Sequence, residues 1–151
     1  MVNIEATYTL HPIKAQVVYN IQEKSLDTFP CLNSDILLTV SYINIGFDSE
    51  SMNANQIWGY SPKESWIKRR LESPPFSILN TIKIATDLDP GNWRLDSDAL
   101  WKSYYDFETK QLCIGNPNFS TDDICVLFLN NAACVLNRFG VLKSVRIYFE
   151  Q

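Results

Sequence analysis

A chain with one histidine has few routes to acid–base or zinc chemistry, and the only one among these 151 residues is His11. It precedes Pro12 at the end of an alternating apolar segment, where a solvated side chain is the ordinary outcome, so no Cys–His nucleophile pair is expected. The four cysteines, Cys31, Cys113, Cys125 and Cys134, form no C-x-x-C pair and read as structural thiols of a reducing compartment. Neither G-x-S-x-G nor G-x-x-x-x-G-K-S/T occurs, and five glycines leave little material for a phosphate-cradling loop. Asp87-x-Asp89 and Asp96-x-Asp98 offer hard oxygen ligands. An EF-hand loop begun at Asp87, however, would put Asn92 where its glycine belongs and Asp98 where its glutamate belongs. Pairs of these acids could be cast as glycosidase carboxylates, but so could pairs in any acidic protein. The expectation is therefore no catalytic residue, no metal and no cofactor: a binding protein, not an enzyme.

Charge says more than motifs do. Residues 87–123 carry eight acids against three bases, a net −5, while the whole chain is −4. Nucleic acid is thereby disfavoured as a direct partner, because binding it needs a basic field that displaces counterions from phosphates. Lys68-Arg69-Arg70 is the single basic run, flanked by Glu64 and Glu72, and reads as a solvated face. Aromatic residues are interleaved with the acids, and interfaces favour Trp, Tyr and Arg anchors with charges steering at the rim. The partner-binding set expected on this basis is Asp87, Asp89, Trp93, Asp96, Asp98, Trp101, Tyr104, Asp106, Glu108, Asp122 and Asp123.

The elements that would carry this set follow from periodicity. Alternation over 4–10 and 14–22 predicts half-buried strands. Residues 35–47 read as one long strand whose apolar phase slips midway, as a bulge or burial of both faces would produce. Ser61-Pro62-Lys63-Glu64 resembles a capping box and predicts a short helix over about 62–71, ended by Pro74-Pro75. Residues 76–86 suggest a strand, 97–103 a helical turn and 104–115 a hairpin. Ser120 followed by Asp122 and Asp123 predicts a helix over about 121–138, with Cys125, Phe128, Leu129, Ala132, Val135, Leu136 and Phe139 in one stripe and Gly140 beyond its end. Residues 141–149 make a final strand. Together these predict a single α+β domain over 1–151, with a mostly antiparallel sheet, one short helix and one long C-terminal helix. The start shows no basic segment followed by an apolar run, and no apolar stretch nears the ~20 residues a membrane span needs. The expected location is the cytoplasm.

In size, acidity and lack of catalytic motifs the chain resembles immunity proteins of bacterial toxin–immunity systems, including those of contact-dependent growth inhibition. The local texture of IWGYSPKESW, of DPGNWRLDSDALWKSYYDFETKQLCIGNPNFSTDDI and of GVLKSVRIYFE is similar too. The resemblance covers most of residues 56–150 and is one of style, so it carries no functional residue over. It implies a tight one-to-one complex with a cognate toxin domain, often a basic nuclease, while the charge pattern and the lack of a spanning segment set the expectation of no direct nucleic acid and no membrane. The alternative is a small-ligand or metal-binding α+β module using a pocket near Trp58, Trp66, Trp93 or Trp101.

Overall fold

A computed structural model describes residues 2–95 and 101–149, and among them the fold is almost entirely β. The strands in chain order are β1 (Ile4–Thr7), β2 (Gln16–Asn20), β3 (Ser25–Phe29), β4 (Ile36–Val40), β5 (Ile43–Phe47), β6 (Ala54–Tyr60) and β7 (Ile67–Lys68), then β8 (Thr81–Ile84), β9 (Gly91–Arg94), β10 (Ser103–Asp106), β11 (Gln111–Gly115), β12 (Ile124–Leu129), β13 (Ala132–Leu136) and β14 (Leu142–Tyr148). The first sheet runs β2-β3-β6-β5-β4-β9 and the second β12-β13-β14-β11-β10-β7, while β1 and β8 form a two-stranded ribbon. Pairing is antiparallel except at one edge of each large sheet, where β9 lies parallel to β4 and β7 parallel to β10. Inward side chains of both sheets and the ribbon feed one apolar core, among them Leu38, Ile45, Ile57, Ile82, Ile114 and Val145. This is the logic of a β-sandwich, and burying each such side chain is worth about 1.5–3 kcal/mol.

The expected α+β class is overturned. The single helical element among the described residues is a 3₁₀ turn at Lys63–Ser65. The helix expected over 121–138 is instead the hairpin β12–β13, with Leu129 opposite Ala132 and Asn130-Asn131 as its two-residue turn. The helical stripe was misleading because the positions between its members, Val126, Ala133 and Cys134, are buried as well. A strand apolar on both faces satisfies any period, and short apolar runs do not separate helix from strand.

The helix expected over 62–71 fails for a different reason. Ser61 does not cap: its buried Oγ accepts a hydrogen bond from Trp66 Nε1 at 2.9 Å, and the turn has no side-chain cap. Glu64 pairs with Lys24 at 3.1 Å. Trp66 is extended, and residues 67–68 pair with β10. A short isolated helix is marginal in water, so ring packing and sheet pairing prevail.

Residues 35–47 form two strands, not one with a bulge. Ser41-Tyr42 is the turn between β4 and β5, and Ser41 takes a positive φ of 55°. The strand expected over 4–10 stops at Thr7, leaving Tyr8 and Leu10 exposed. The hairpin at 104–115 and the final strand, with Val145 and Ile147 buried, stand as read. The helical turn expected at 97–103 falls partly outside the described residues, and Ser103 begins β10.

The outer face of the second sheet is also covered. Phe76 bridges Cys125, and Ser77 N–H donates to Cys125 O, laying the 70s segment along β12. Beneath this cover sits Arg146, fully buried. Its guanidinium donates to Gln111 Oε1, Glu72 O and Pro117 O at 2.5, 3.3 and 3.0 Å and stacks on Phe119. All three oxygens are neutral, so the cation anchors two covering loops without a carboxylate.

Candidate functional site

The fold disperses the acidic set. Asp106 is buried, and its carboxylate accepts from the N–H groups of Leu71, Glu108 and Thr109 at 2.9, 3.0 and 3.4 Å. Those bonds, that from Leu71 foremost, hold the carboxyl below the usual range. Asp123 forms an ion pair with Lys143 at 2.5 Å, its side chain almost wholly out of solvent, and also accepts from Ser120 N–H. Both acids are structural ties within the fold.

Trp101 is half-buried, its ring lying where any side chain at position 115 would stand. A Cβ on Gly115 would come within 2.6 Å of that ring, and the residue's φ is +114°. Tyr104 lies under the guanidinium of Arg69 at 5.6 Å. Glu108 is exposed in the β10–β11 turn, and Asp122 is exposed with φ 74° just before β12. Asp96 and Asp98 lie outside the described residues.

Asp87, Asp89 and Trp93 remain together, at the start of β9. Asp87 and Asp89 are exposed, and the Trp93 indole N–H donates to Asp89 O at 3.0 Å. Parallel pairing of β9 with β4 then adds acids that the sequence did not flag. Gly91 N–H donates to Asp35 O, and Ser49 donates to the Asp35 carboxylate through both N–H and Oγ. These bonds hold the Asp35 carboxyl low, hence charged. The same 48–53 loop carries Asp48 and Glu50, with Glu50 N–H on Asp48 Oδ1 at 2.8 Å, and it contacts β8 through Ile84 N–H on Met52 O. One end of the sandwich thus holds Asp35, Asp48, Glu50, Asp87 and Asp89, from three separate segments. The ion pairs Lys24–Glu64 and Lys143–Asp123 involve none of them.

The opposite end of the same strands is aromatic and basic. Strand β4 leaves the acidic end at Ile36 and reaches Ser41-Tyr42, about 17 Å on at ~3.4 Å per residue. There Tyr42 meets Tyr60 edge-on at 6.3 Å. Their backbones touch because position 59 is glycine: a Cβ there would stand 2.1 Å from Tyr42 O, at φ +149°. A groove of about 380 Å³ runs from these rings past Pro62 and Ile67 to Trp101 and Lys102. Beside it, Tyr19, Trp66, Tyr105 and Phe107 form a chain of rings with centroids 5.3, 4.9 and 4.9 Å apart. Lys63 caps the Tyr19 ring and Lys68 the Phe107 ring. Burial raises the phenol pKa of both Tyr19 and Tyr105. Tyr104 thus lies under Arg69, while Trp101 lines the groove with Lys102.

Among the described residues, no three His, Cys, Asp or Glu side chains are placed to hold a metal ion. His11 is exposed. Cys113, Cys125 and Cys134 are buried, and burial pushes the Cys125 thiol up to about 12, far from the thiolate a nucleophile needs. Cys31 is exposed. No helix among the described residues is long and apolar enough to cross a membrane. No protein-family model matches the chain, and no curated protein is significantly similar to it.

Proposed function

We propose that this protein is an immunity-type inhibitor that neutralises a cationic toxin domain in a one-to-one complex, docking it on the acidic end of the sandwich. One observation carries this reading: Asp35, Asp48, Glu50, Asp87 and Asp89 converge there from three segments, exposed or half-exposed and, among the described residues, without a basic ion-pair partner. Five like charges held on short, internally bonded loops are an electrostatic cost, and a cationic partner repays it. A nuclease surface must be positive to hold phosphates, so an acidic end offers the matching field and speeds encounter. The carboxylates are spread along loops instead of pointing at one centre, as suits a protein surface better than an ion. Trp93, partly exposed beside Asp89, supplies an aromatic anchor inside the field.

The test is capture of the partner on immobilised protein at low salt, followed by stopped-flow association of the purified pair. The expected result is one basic toxin domain at near-equal stoichiometry, protection of cells that express it, and association slowed about tenfold or more by joint reversal of Glu50, Asp87 and Asp89 to Lys. An unchanged association rate in that variant would refute the acidic end as the docking surface.

A further inference from the structure

We propose that the open edge of the second sheet, along residues 67–71, is a docking site for an extended acidic segment of a partner protein, which adds there as a further strand. The site is distinct from the acidic end and does not depend on the toxin reading.

The backbone supplies the first observation. Ile67 and Lys68 pair in parallel with Tyr104 and Tyr105, Arg69 N–H donates to Tyr105 O, and Leu71 N–H donates to Asp106 Oδ2. Alternation along an extended chain then turns the N–H and C=O groups of Lys68 and Arg70 away from β10. No described residue supplies them with a partner. A row of unpaired backbone groups at a sheet edge is a template for another strand.

The side chains choose the occupant. Lys68 and Arg70 are exposed, and Lys63 is exposed at the neighbouring cleft, whereas Glu64 is already tied to Lys24. Like charges keep two copies of this edge apart, and the same charges favour a strand bearing carboxylates. Glu108 and Glu72 offset part of the field without occupying the edge. The second observation is the cleft of about 160 Å³ walled by Lys63, Trp66, Tyr105 and Phe107. Pockets for small ligands run ~300–1,000 Å³, so this one is sized for a single side chain of a docked strand. Phe107 is 62% exposed and Ile67 42%, apolar surface that such a strand would cover. The occupant is thus an extended segment alternating acidic and apolar residues, with the acidic parity on the face of Lys68, Arg70 and the cleft, one of its positions apolar so as to enter the cleft, and the remaining apolar residues toward Ile67.

The experiment uses the full chain and three fluorescein-labelled peptides: one alternating Glu and Val with Leu in place of the central Glu, the same peptide with Lys for Glu, and the acidic peptide N-methylated on alternate amides. Anisotropy gives affinity, and amide shifts of the isotope-labelled protein give location. The acidic peptide should bind about tenfold or more tightly than the other two, shift the Lys68 and Arg70 amides most, and lose about tenfold in affinity on joint Lys68→Glu and Arg70→Glu substitution. Equal binding of the N-methylated peptide, shifts centred elsewhere, or no binding of the acidic peptide at about 1 mM, the weak end of measurable affinity, would each overturn the proposal. Capture of the toxin plays no part, so this site and the acidic end succeed or fail separately.

Discussion

The two ends of the first sheet are built from the same strands, yet they are organised by different forces. At the acidic end, Asp35, Asp48 and Ser49 bond the loop backbone to itself, so the loops hold their shape while the carboxylates keep their charge. At the aromatic end, edge-on ring contacts and a glycine hold two turns against each other, and cations lie on ring faces. The acidic end invests little in stability and leaves its chemistry facing solvent, while the aromatic end is part of what holds the sandwich shut. A second contrast lies within the acids: Asp106 and Asp123 are ties inside the fold, while the carboxylates of Asp87 and Asp89 have no partner among the described residues.

These contrasts break or sharpen under substitution, and the largest effect belongs to the buried tie. Asp123→Ala leaves the Lys143 ammonium without its carboxylate and should cost about 3–5 kcal/mol in urea unfolding. Asp106→Ala strands the buried Leu71 N–H and should cost about 2 kcal/mol. Because the folded pKa of Asp106 is depressed, its contribution is fully present above the unfolded value of about 3.9 and fades as pH falls through the folded value. Asp106→Asn should therefore flatten the acid limb of a stability profile below about pH 4, and an unaltered limb would remove Asp106 from the ties. At the aromatic end, Gly59→Ala forces a Cβ onto Tyr42 O at a positive φ and should cost about 2 kcal/mol. Reversing Glu50, Asp87 and Asp89 to Lys at the acidic end should move stability by no more than about 0.5 kcal/mol. A large loss there would erase the contrast between the ends. Smallest of all, native protein should react with iodoacetamide only at Cys31, and unfolded protein at all four cysteines.

What the sequence showed and what it hid follow the range of the interactions involved. The alternation at 4–7 and 16–20, the 104–115 hairpin and the last strand are local patterns and were readable. The turns Ser41-Tyr42 and Asn130-Asn131 lie between apolar runs and contain neither Gly nor Pro. The first passed for a phase slip, and the second vanished inside a helical stripe. The better signal at 130–131 was the polar Asn pair itself, standing between two apolar runs. Strand β6 was hidden because its polar Asn55 and Gln56 are buried, held by Ser34, Asn33 and Cys31. Strand β9 was hidden because Asp89-Pro90-Gly91-Asn92 is a turn sequence in most contexts. Of the site, Asp87, Asp89 and Trp93 were legible as a run of acids around an aromatic. Asp35, Asp48 and Glu50 were not, since only the parallel pairing of β4 with β9 brings residues about fifty positions apart to one end. Asp106 and Asp123 looked identical to the free acids, because nothing local distinguishes a carboxylate with a buried partner from one without.

As proposed above, the acidic end is the surface that meets a cationic partner. The most direct measurement is the salt dependence of the association rate with the captured toxin domain, compared between wild type and the Glu50, Asp87, Asp89 reversal. The expected result is a steep fall in wild-type rate with ionic strength and a slow, nearly salt-independent rate in the variant. Superimposable salt dependences would contradict the account.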